Sequence, residues 1–162
     1  MIQNYKYANT IVCPHWGQFV IENGCYVVLL VVSALLLGYC NFPFRWLFHL
    51  ALLLFFLYLL YRYKYITSIR YCIGDEQLMV EHGIIDTRRD YMEMYRVVDY
   101  DESRTFAQRI FGLKTVSIYS CDRTRPRLDI KGINVHLDLV AIIRERVEFN
   151  KKLKGVYEIT NR

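Results

Sequence analysis

The densest group of basic side chains lies in residues 122–127, where Arg123, Arg125 and Arg127 alternate with other residues. A guanidinium group presents its N–H donors in a planar fork that fits the oxygens of phosphate or carboxylate. Pro126 lies within the run and favours a turn between strands. We predict that this hairpin tip contacts lipid headgroups or an acidic partner, with an ordinary solvated turn as the alternative.

Other reactive side chains are too sparse for catalysis or metal binding. Asp99 and Asp101 share one side of a predicted strand and Glu102 points to the other, so a solvated strand edge is the simpler interpretation. Cys13 and His15 could supply two metal ligands, but a site needs three or four. The sequence has no GxSxG, HExxH, P-loop or GxGxxG motif. We expect no enzymatic activity, no cofactor and no metal.

The overall composition favours a membrane-associated chain over a nucleic-acid-binding one. The 162 residues carry a net charge of +5, and the basic residues are interspersed with acidic ones. No zinc-finger spacing or long basic helix is present, so we expect no nucleic-acid partner. The five cysteines form no CxxC pair, which argues against a disulfide framework and for a reducing compartment.

Two apolar segments, residues 25–40 and 46–61, predict a transmembrane helical hairpin. Each is close to the lower end of the roughly 17–25 residues that cross the hydrocarbon core. Pro43 lies between them and prevents one continuous helix. A cleaved signal peptide is disfavoured by the long polar stretch before the first segment. A shallow hairpin that enters and leaves one leaflet remains the more serious alternative.

Residues at the ends of the second segment predict how the hairpin sits in a bilayer. Only Arg45 lies in the connecting turn, whereas several basic residues follow the second span, so both termini and the polar domain are predicted to be cytoplasmic. His49, one helical turn from Arg45, is expected to be a neutral hydrogen-bonded side chain. The predicted membrane-interface residues are Trp46, Tyr58, Tyr61, Arg62, Tyr63 and Lys64.

The C-terminal part has the alternating pattern of short strands. Strands are predicted at residues 69–73, 78–82, 84–92, 97–102, 115–120 and 127–131, with a short helix at 104–111. A final amphipathic helix is predicted after Asn134 as N-cap, with Leu139, Ile143 and Val147 on its apolar face. The fold class is therefore an α+β membrane protein: a hairpin followed by a small barrel or sandwich of about seven strands, capped by a C-terminal helix.

These patterns divide the chain into four parts. Residues 1–24 form an N-terminal polar or interfacial segment, and residues 25–61 form the hairpin. Residues 62–154 form the cytoplasmic domain, and residues 155–162 form a tail.

Four short motifs give the C-terminal domain a family resemblance. They are Gly83-Ile84-Ile85, Arg88-Arg89, Met94-Tyr95-Arg96-Val97-Val98-Asp99 and the run at residues 108–118. Together they resemble the membrane-flanked bacterial pleckstrin-homology (PH)-like domains, although Met94-Tyr95 stands where that family often has Pro-Leu. The resemblance implies a fold and a place beside the membrane, but no ligand. The acidic loop at residues 74–77 argues against phosphoinositide binding of the eukaryotic kind.

The sequence thus predicts a PH-like adaptor or scaffold at the cytoplasmic face of the bacterial inner membrane, in a multi-pass protein. Its partner would be a membrane protein, an anionic lipid headgroup or a second copy of the chain. The alternative is a ligand-gated two-helix membrane effector whose β-domain senses a soluble signal such as a nucleotide. A deep polar pocket would favour the effector, and a domain filled by side chains would favour the adaptor.

Overall fold

The computed structural model describes residues 7–39, 45–123 and 125–155. Two long helices, α1 (Gly17–Tyr39) and α2 (Arg45–Ser68), pack against each other. Of the predicted turn between them, only Arg45 lies within the described residues, and it is the first residue of α2 and not part of a turn. All but the first residue of the predicted tail lie outside the described residues. The other helices are α3 (Phe106–Ile110) and α4 (Leu139–Leu153). The strands are β1 (Thr10–Val12), β2 (Arg70–Ile73), β3 (Gln77–His82), β4 (Arg88–Glu93), β5 (Val97–Ser103), β6 (Leu113–Ser120) and β7 (Arg127–Asn134).

The seven strands form two antiparallel sheets, which confirms the α+β class. One sheet has the order β1-β2-β3-β4 and the other has the order β5-β6-β7. In the described part of the chain no ladder joins the two sheets, so the strands form a two-sheet arrangement without a shown closure into a barrel. The domain core contains buried residues of both sheets, among them Ile73, Leu78, Ile118 and Ile130, together with Leu139 of α4.

One strand of the first sheet comes from the segment that was predicted to be polar or interfacial. β1 precedes both helices in the chain and pairs with β2, which follows them, in the register Thr10↔Ile73. Helix α1 then begins at Gly17, eight residues before the predicted start of the apolar span at Cys25. The N-terminal segment therefore contributes to the sheet domain as well as to the first helix.

The start of the last helix also differs from the prediction. Asn134 is the final residue of β7, paired with Leu113, and is not an N-cap. The N-cap is Asp138, because its carboxylate accepts a hydrogen bond from the backbone N–H of Ala141 at 3.1 Å. The chain uses the residues between them as a short turn, so the helix begins one turn later than the sequence suggested.

Helices α1 and α2 are apolar and face outwards over most of their length. Both are long enough to cross a membrane by length and composition, at 23 and 24 residues. Only 6% of the apolar window of each helix is buried inside the structure. A core helix of a water-soluble protein would bury a far larger share, because exposed apolar surface is unfavourable in water.

Candidate functional site

The three arginines of the predicted contact site, at the β6–β7 connection, have different surroundings. Arg125 forms an ion pair with Asp90 of β4. The Arg127 Nε donates to the Asp129 Oδ1 at 2.7 Å. Arg123 is exposed and has no ion pair among the described residues. The structure therefore does not bring three free guanidinium groups together, and Arg123 is the member that is open to an outside partner.

The two carboxylates beside these arginines, Asp90 and Asp129, each have a lowered pKa. The hydrogen bond from Arg125 lowers the pKa of Asp90, and His82, whose Nε2 lies 3.1 Å from the Asp90 Oδ2, acts in the same direction. Burial works to raise the pKa of Asp129, but hydrogen bonds from Ser117 and Arg127 outweigh it, so that pKa is also lowered. The Arg125–Asp90 pair joins the β6–β7 connection to β4, whereas Arg127 and Asp129 pair within β7.

Two groups of candidate metal ligands, the acidic residues of β5 and the segment at residues 13–15, contain side chains that bond to other parts of the protein. On β5, the Glu102 Oε1 accepts a hydrogen bond from the Lys114 Nζ at 2.6 Å, whereas Asp99 and Asp101 are exposed. The His15 Nδ1 accepts a hydrogen bond from the backbone N–H of Gly17 at the start of α1. Across residues 7–39, 45–123 and 125–155 no three potential metal ligands lie together. That no metal binds stays a prediction.

The predicted interface residues lie in two groups along α2. Trp46 is in its first turn, and the others, Tyr58 to Lys64, are in its second half. Fifteen residues separate Trp46 from Tyr61, which corresponds to about 22 Å along a helix axis. Near the second group, Arg62 lies 3.7 Å from Glu22 of α1, and Tyr63 packs edge-on against Phe19. His49 hydrogen-bonds the Arg45 carbonyl of its own helix, at 2.7 Å.

A buried polar contact that the sequence did not reveal holds α1 to the second sheet. The side-chain amide of Gln108 donates to the Gln18 Oε1 at 3.2 Å and to the Thr115 Oγ1 at 2.8 Å. Gln108 also completes a capping box with Thr105 at the start of α3. The Thr-x-x-Gln spacing signals that box in the sequence, but nothing local indicates the bond to Gln18, which is 90 residues away.

A second buried cluster, which we call the Arg146 cluster, joins the two ends of the chain. Arg146 of α4 donates to the Ala8 carbonyl and the Thr10 hydroxyl, both at 2.9 Å, and to the carbonyls of Ile73 and Gly74. It is 4% exposed and has no carboxylate ion pair in the described part of the chain. The cation is thus held by carbonyl oxygens, and it fixes β1 against α4.

The same end of the domain buries one residue of the acidic loop at residues 74–77, whereas Glu76 and Gln77 are exposed. In residues 74–77, the Asp75 side chain accepts a hydrogen bond from the backbone N–H of Tyr7 at 3.0 Å, and its carbonyl accepts one from Asn150. Asp75 is buried. Besides the acidic charge, this burial is a second physical reason against phosphoinositide binding at that loop.

The interior of the domain is filled, and the open space lies at its junction with the helices. Side chains from both sheets and α4 occupy the core. A cavity of about 240 Å³ lies where α1 and α2 meet the sheets, and its charged lining comprises Glu22, Arg62, Asp129 and Lys131. Burial raises the pKa of Tyr71, which also lines it, to about 12. The core occupied by side chains is the feature expected of the adaptor, whereas the charged cavity lined by Arg62 and Tyr71 is the feature expected of the effector.

An exposed apolar patch lies on α3, beside the start of α1. Phe106 is 81% exposed and Ile110 is 69% exposed, one helical turn apart. Trp16 and Phe111, in edge-to-face contact at 6.2 Å, extend the apolar surface toward α1. The exposed Arg104 and Arg109 flank it. We call these six residues the α3 patch.

The sequence profile described as "Bacterial PH domain" matches residues 26–147. The chain belongs to the bacterial PH domain family. The matched part of this bacterial PH domain includes most of α1, the whole of α2, six strands and most of α4. β1 lies outside the matched residues. No curated protein and no solved structure matches the chain significantly.

Family membership confirms the resemblance noted in the sequence and identifies the domain as one of a class of interaction modules. Of the predicted site residues, the structure groups Tyr58 to Lys64 in the second half of α2. It pairs Arg125 and Arg127 with separate carboxylates and leaves Arg123 without an ion pair among the described residues. The α3 patch of this PH domain was not predicted. Its signal was present in the sequence as two large apolar residues, Phe106 and Ile110, on a short helix next to arginines.

Proposed function

We propose that this bacterial PH domain protein is a membrane-anchored interaction module without chemistry of its own. The helices α1 and α2 span the inner membrane as a hairpin, and the sheet domain lies at the cytoplasmic face. The observation that carries the proposal is the outward-facing apolar surface of both helices, of which only 6% of each apolar window is buried. Exposure of such an apolar surface is favourable in the hydrocarbon core of a bilayer.

The order of elements supports two spans over a cleaved leader. β1 precedes α1 and pairs with β2 after α2, so the sheet holds both ends of the hairpin on one side. Removing the first helix and everything before it would also remove a strand. The basic residues that follow α2's apolar stretch, against Arg45 alone before it, favour the cytoplasm as that side.

Membrane fractionation tests the anchor directly. We expect the intact chain to sediment with membranes, to resist alkaline carbonate and to be released by detergent. A reporter that is active only outside the cytoplasm should be inactive when it is fused to the C-terminus. If the detergent-free chain remained monodisperse in the supernatant, the proposal would be wrong.

We further propose that the α3 patch binds a membrane protein whose cytoplasmic surface is apolar and ringed by carboxylates. Arg104 and Arg109 have no ion-pair partner among the described residues, and they flank the exposed Phe106 and Ile110. Gly17 lies next to Phe111 of the patch. Gly17 is eight residues before Cys25, the first residue of the apolar span, which is about 12 Å along the helix axis. The patch therefore lies on the cytoplasmic side of the hydrocarbon layer. That depth suits a protein partner better than acyl chains.

Replacement of Phe106 by aspartate tests the patch. Because Phe106 is exposed, Phe106→Asp should leave folding and membrane insertion intact but abolish site-specific cross-linking from residue 110 to a partner. Val98→Asp, on an exposed position of β5, is the matched control. Equal cross-linking in both variants would refute the patch as the contact site.

Self-association is the second form of the proposal, and cross-linking in native membranes tests it. The edge strands β4, β5 and β7 carry charged residues, which disfavour edge-to-edge pairing, whereas the edge strand β1 carries none. The two arginines of the α3 patch would also repel their copies across a two-fold axis. We therefore place a heterologous partner first, and cross-linked products made only of this chain would reverse that order.

A further inference from the structure

We propose that the β3–β4 loop, residues 83–87, inserts its two isoleucines into the membrane interface beside α2. This inference rests on the proposed insertion of the hairpin and adds a second, peripheral lipid contact made by the sheet domain itself. At the tip of the loop Ile85 is 94% exposed, and Ile84 next to it is 41% exposed. Two adjacent large apolar side chains at a loop tip are unfavourable in water and favourable among lipid headgroups and acyl chains.

The loop is held against the end of α2 at the required height. The Ser68 hydroxyl donates to the Gly83 carbonyl at 3.1 Å, which fixes the base of the loop at the last residue of the helix. From there the loop extends along the helix, and a cavity of about 300 Å³ between them is lined by Tyr61, Tyr65 and the isoleucines. Tyr61 is seven residues from Ser68, which is about 10 Å of helix.

The position of Tyr61 at the edge of the hydrocarbon layer indicates that lipid contacts the surface formed by the loop and α2. The second apolar segment ends at Tyr61, and Arg62 follows it, so the hydrocarbon boundary falls at this turn of α2. The isoleucines line the same cavity as Tyr61 at the end of the apolar segment. The α3 patch differs, because it lies beside the start of α1, about 12 Å from the first residue of the apolar span.

The charges of the loop are balanced, which defines the kind of lipid contact. The Arg88 Nε lies 3.7 Å from the Asp86 Oδ2, and both side chains are largely exposed. The loop therefore presents apolar surface without a net basic charge. We expect insertion to depend on apolar burial, with little preference for anionic lipid and little sensitivity to salt.

Single-tryptophan variants of the full chain in phosphatidylcholine nanodiscs test the inference. One variant keeps only Trp46 (Trp16→Phe) and reports the hairpin. Two others, in a Trp16→Phe/Trp46→Phe background, carry Ile85→Trp or the control Val98→Trp. The control residue, Val98, is about half exposed and lies on β5. There β5 pairs with the Ser120 end of β6, which is the end remote from α1. The readout is quenching by lipids that bear a nitroxide on the upper acyl chain.

We expect strong quenching of the Trp46 protein and of Ile85→Trp, about twofold or more above that of Val98→Trp. Addition of anionic lipid, or a rise from about 0.1 M to about 1 M salt, should leave the quenching unchanged. Should Ile85→Trp fail to fold by circular dichroism, Ile84→Trp replaces it.

Each remaining outcome is decisive. A quenched Trp46 with Ile85→Trp no more quenched than Val98→Trp overturns the loop insertion and leaves the hairpin intact. An unquenched Trp46 overturns the proposed membrane anchor, and the loop insertion with it. Quenching of the loop that disappears at high salt overturns the apolar mechanism.

Discussion

In the sheet domain the central apolar side chains, such as Ile118 and Ile130, are fully buried, whereas in the hairpin Leu54 is 59% exposed and Leu36 is similar. The domain satisfies its apolar groups internally and also ties its ends together through the Arg146 cluster. The hairpin has one partner helix and leaves its outer faces uncovered. The two regions should therefore respond in opposite ways to mutation and to the surrounding solvent.

The largest expected contrast comes from shortening one side chain in each region. Ile118→Ala should lower the free energy of unfolding of the domain by about 3–4 kcal/mol, because it leaves a cavity in a filled core. Leu54→Ala should leave that free energy unchanged, because its side chain contributes nothing to the core. Urea unfolding in detergent micelles measures both. A comparable loss in the two variants would mean that the regions unfold as one unit.

A smaller but sharper contrast lies within α4, between two arginines. Arg146→Met should cost about 3 kcal/mol, because it leaves several buried carbonyl groups without a donor. Arg144→Met is the matched control and should cost less than about 0.5 kcal/mol, because its pair with Glu148, at 3.8 Å, is exposed. Hydrogen exchange of β1 should rise only in the first variant. Unchanged protection there would exclude the cluster as the fastening of β1.

The junction between the two regions can be tested with two glycines of similar backbone conformation. Gly132 has φ +70° and Gly112 has φ +63°, so an alanine at either is strained by about 1 kcal/mol. At Gly132 the new methyl group would also lie 2.8 Å from the Cβ of Gln18 in α1, whereas Gly112 has open space. We expect Gly132→Ala to be the more destabilising in urea unfolding. Equal losses would show that α1 moves away freely.

The smallest effect concerns the acid stability of the domain. Arg125 holds the pKa of Asp90 below its ordinary value of 3.8, so the folded state binds this proton less readily than the unfolded state. The stabilisation is therefore fully present above pH 3.8 and is lost as the pH falls through the lower folded pKa. Asp90→Asn should cost less than about 1 kcal/mol at neutral pH, because the pair is partly exposed.

Unfolding curves between about pH 2 and pH 6 measure that last effect. The difference between wild type and Asp90→Asn should shrink toward the acid end. A difference that stayed constant with pH would assign the effect to packing and not to the charge.

Local patterns carried the prediction of the second half of the chain. Alternation predicts that Ile69, Tyr71 and Ile73 share one strand face and that Leu78, Val80 and His82 share another. Tyr71, Ile73, Leu78 and Val80 are buried, whereas Ile69 and His82 are half-buried. Such faces follow directly from the two-residue repeat of a strand. The apolar spans were equally visible because composition alone defines them.

What the sequence did not reveal depends on partners that are distant along the chain. β1 is three residues long, without enough length for a period, and its partner strand begins about 60 residues later. The arginine tip appeared free because its carboxylate partner on β4, Asp90, is 35 residues from Arg125. Likewise, nothing near Arg146 indicates that the Ala8 carbonyl and the Thr10 hydroxyl, near the other end of the chain, will accept its hydrogen bonds.

The position of β1 ahead of the helices has a consequence for biogenesis. If the hairpin inserts as proposed, β1 can pair with β2 only after both helices have crossed the bilayer. The second crossing returns the chain to the side of the membrane where β1 lies. A chain that inserted a single helix would leave β1 and β2 on opposite sides of the membrane, and Arg146 would lose its contacts with Ala8 and Thr10. Only a chain with both helices inserted could then complete the first sheet.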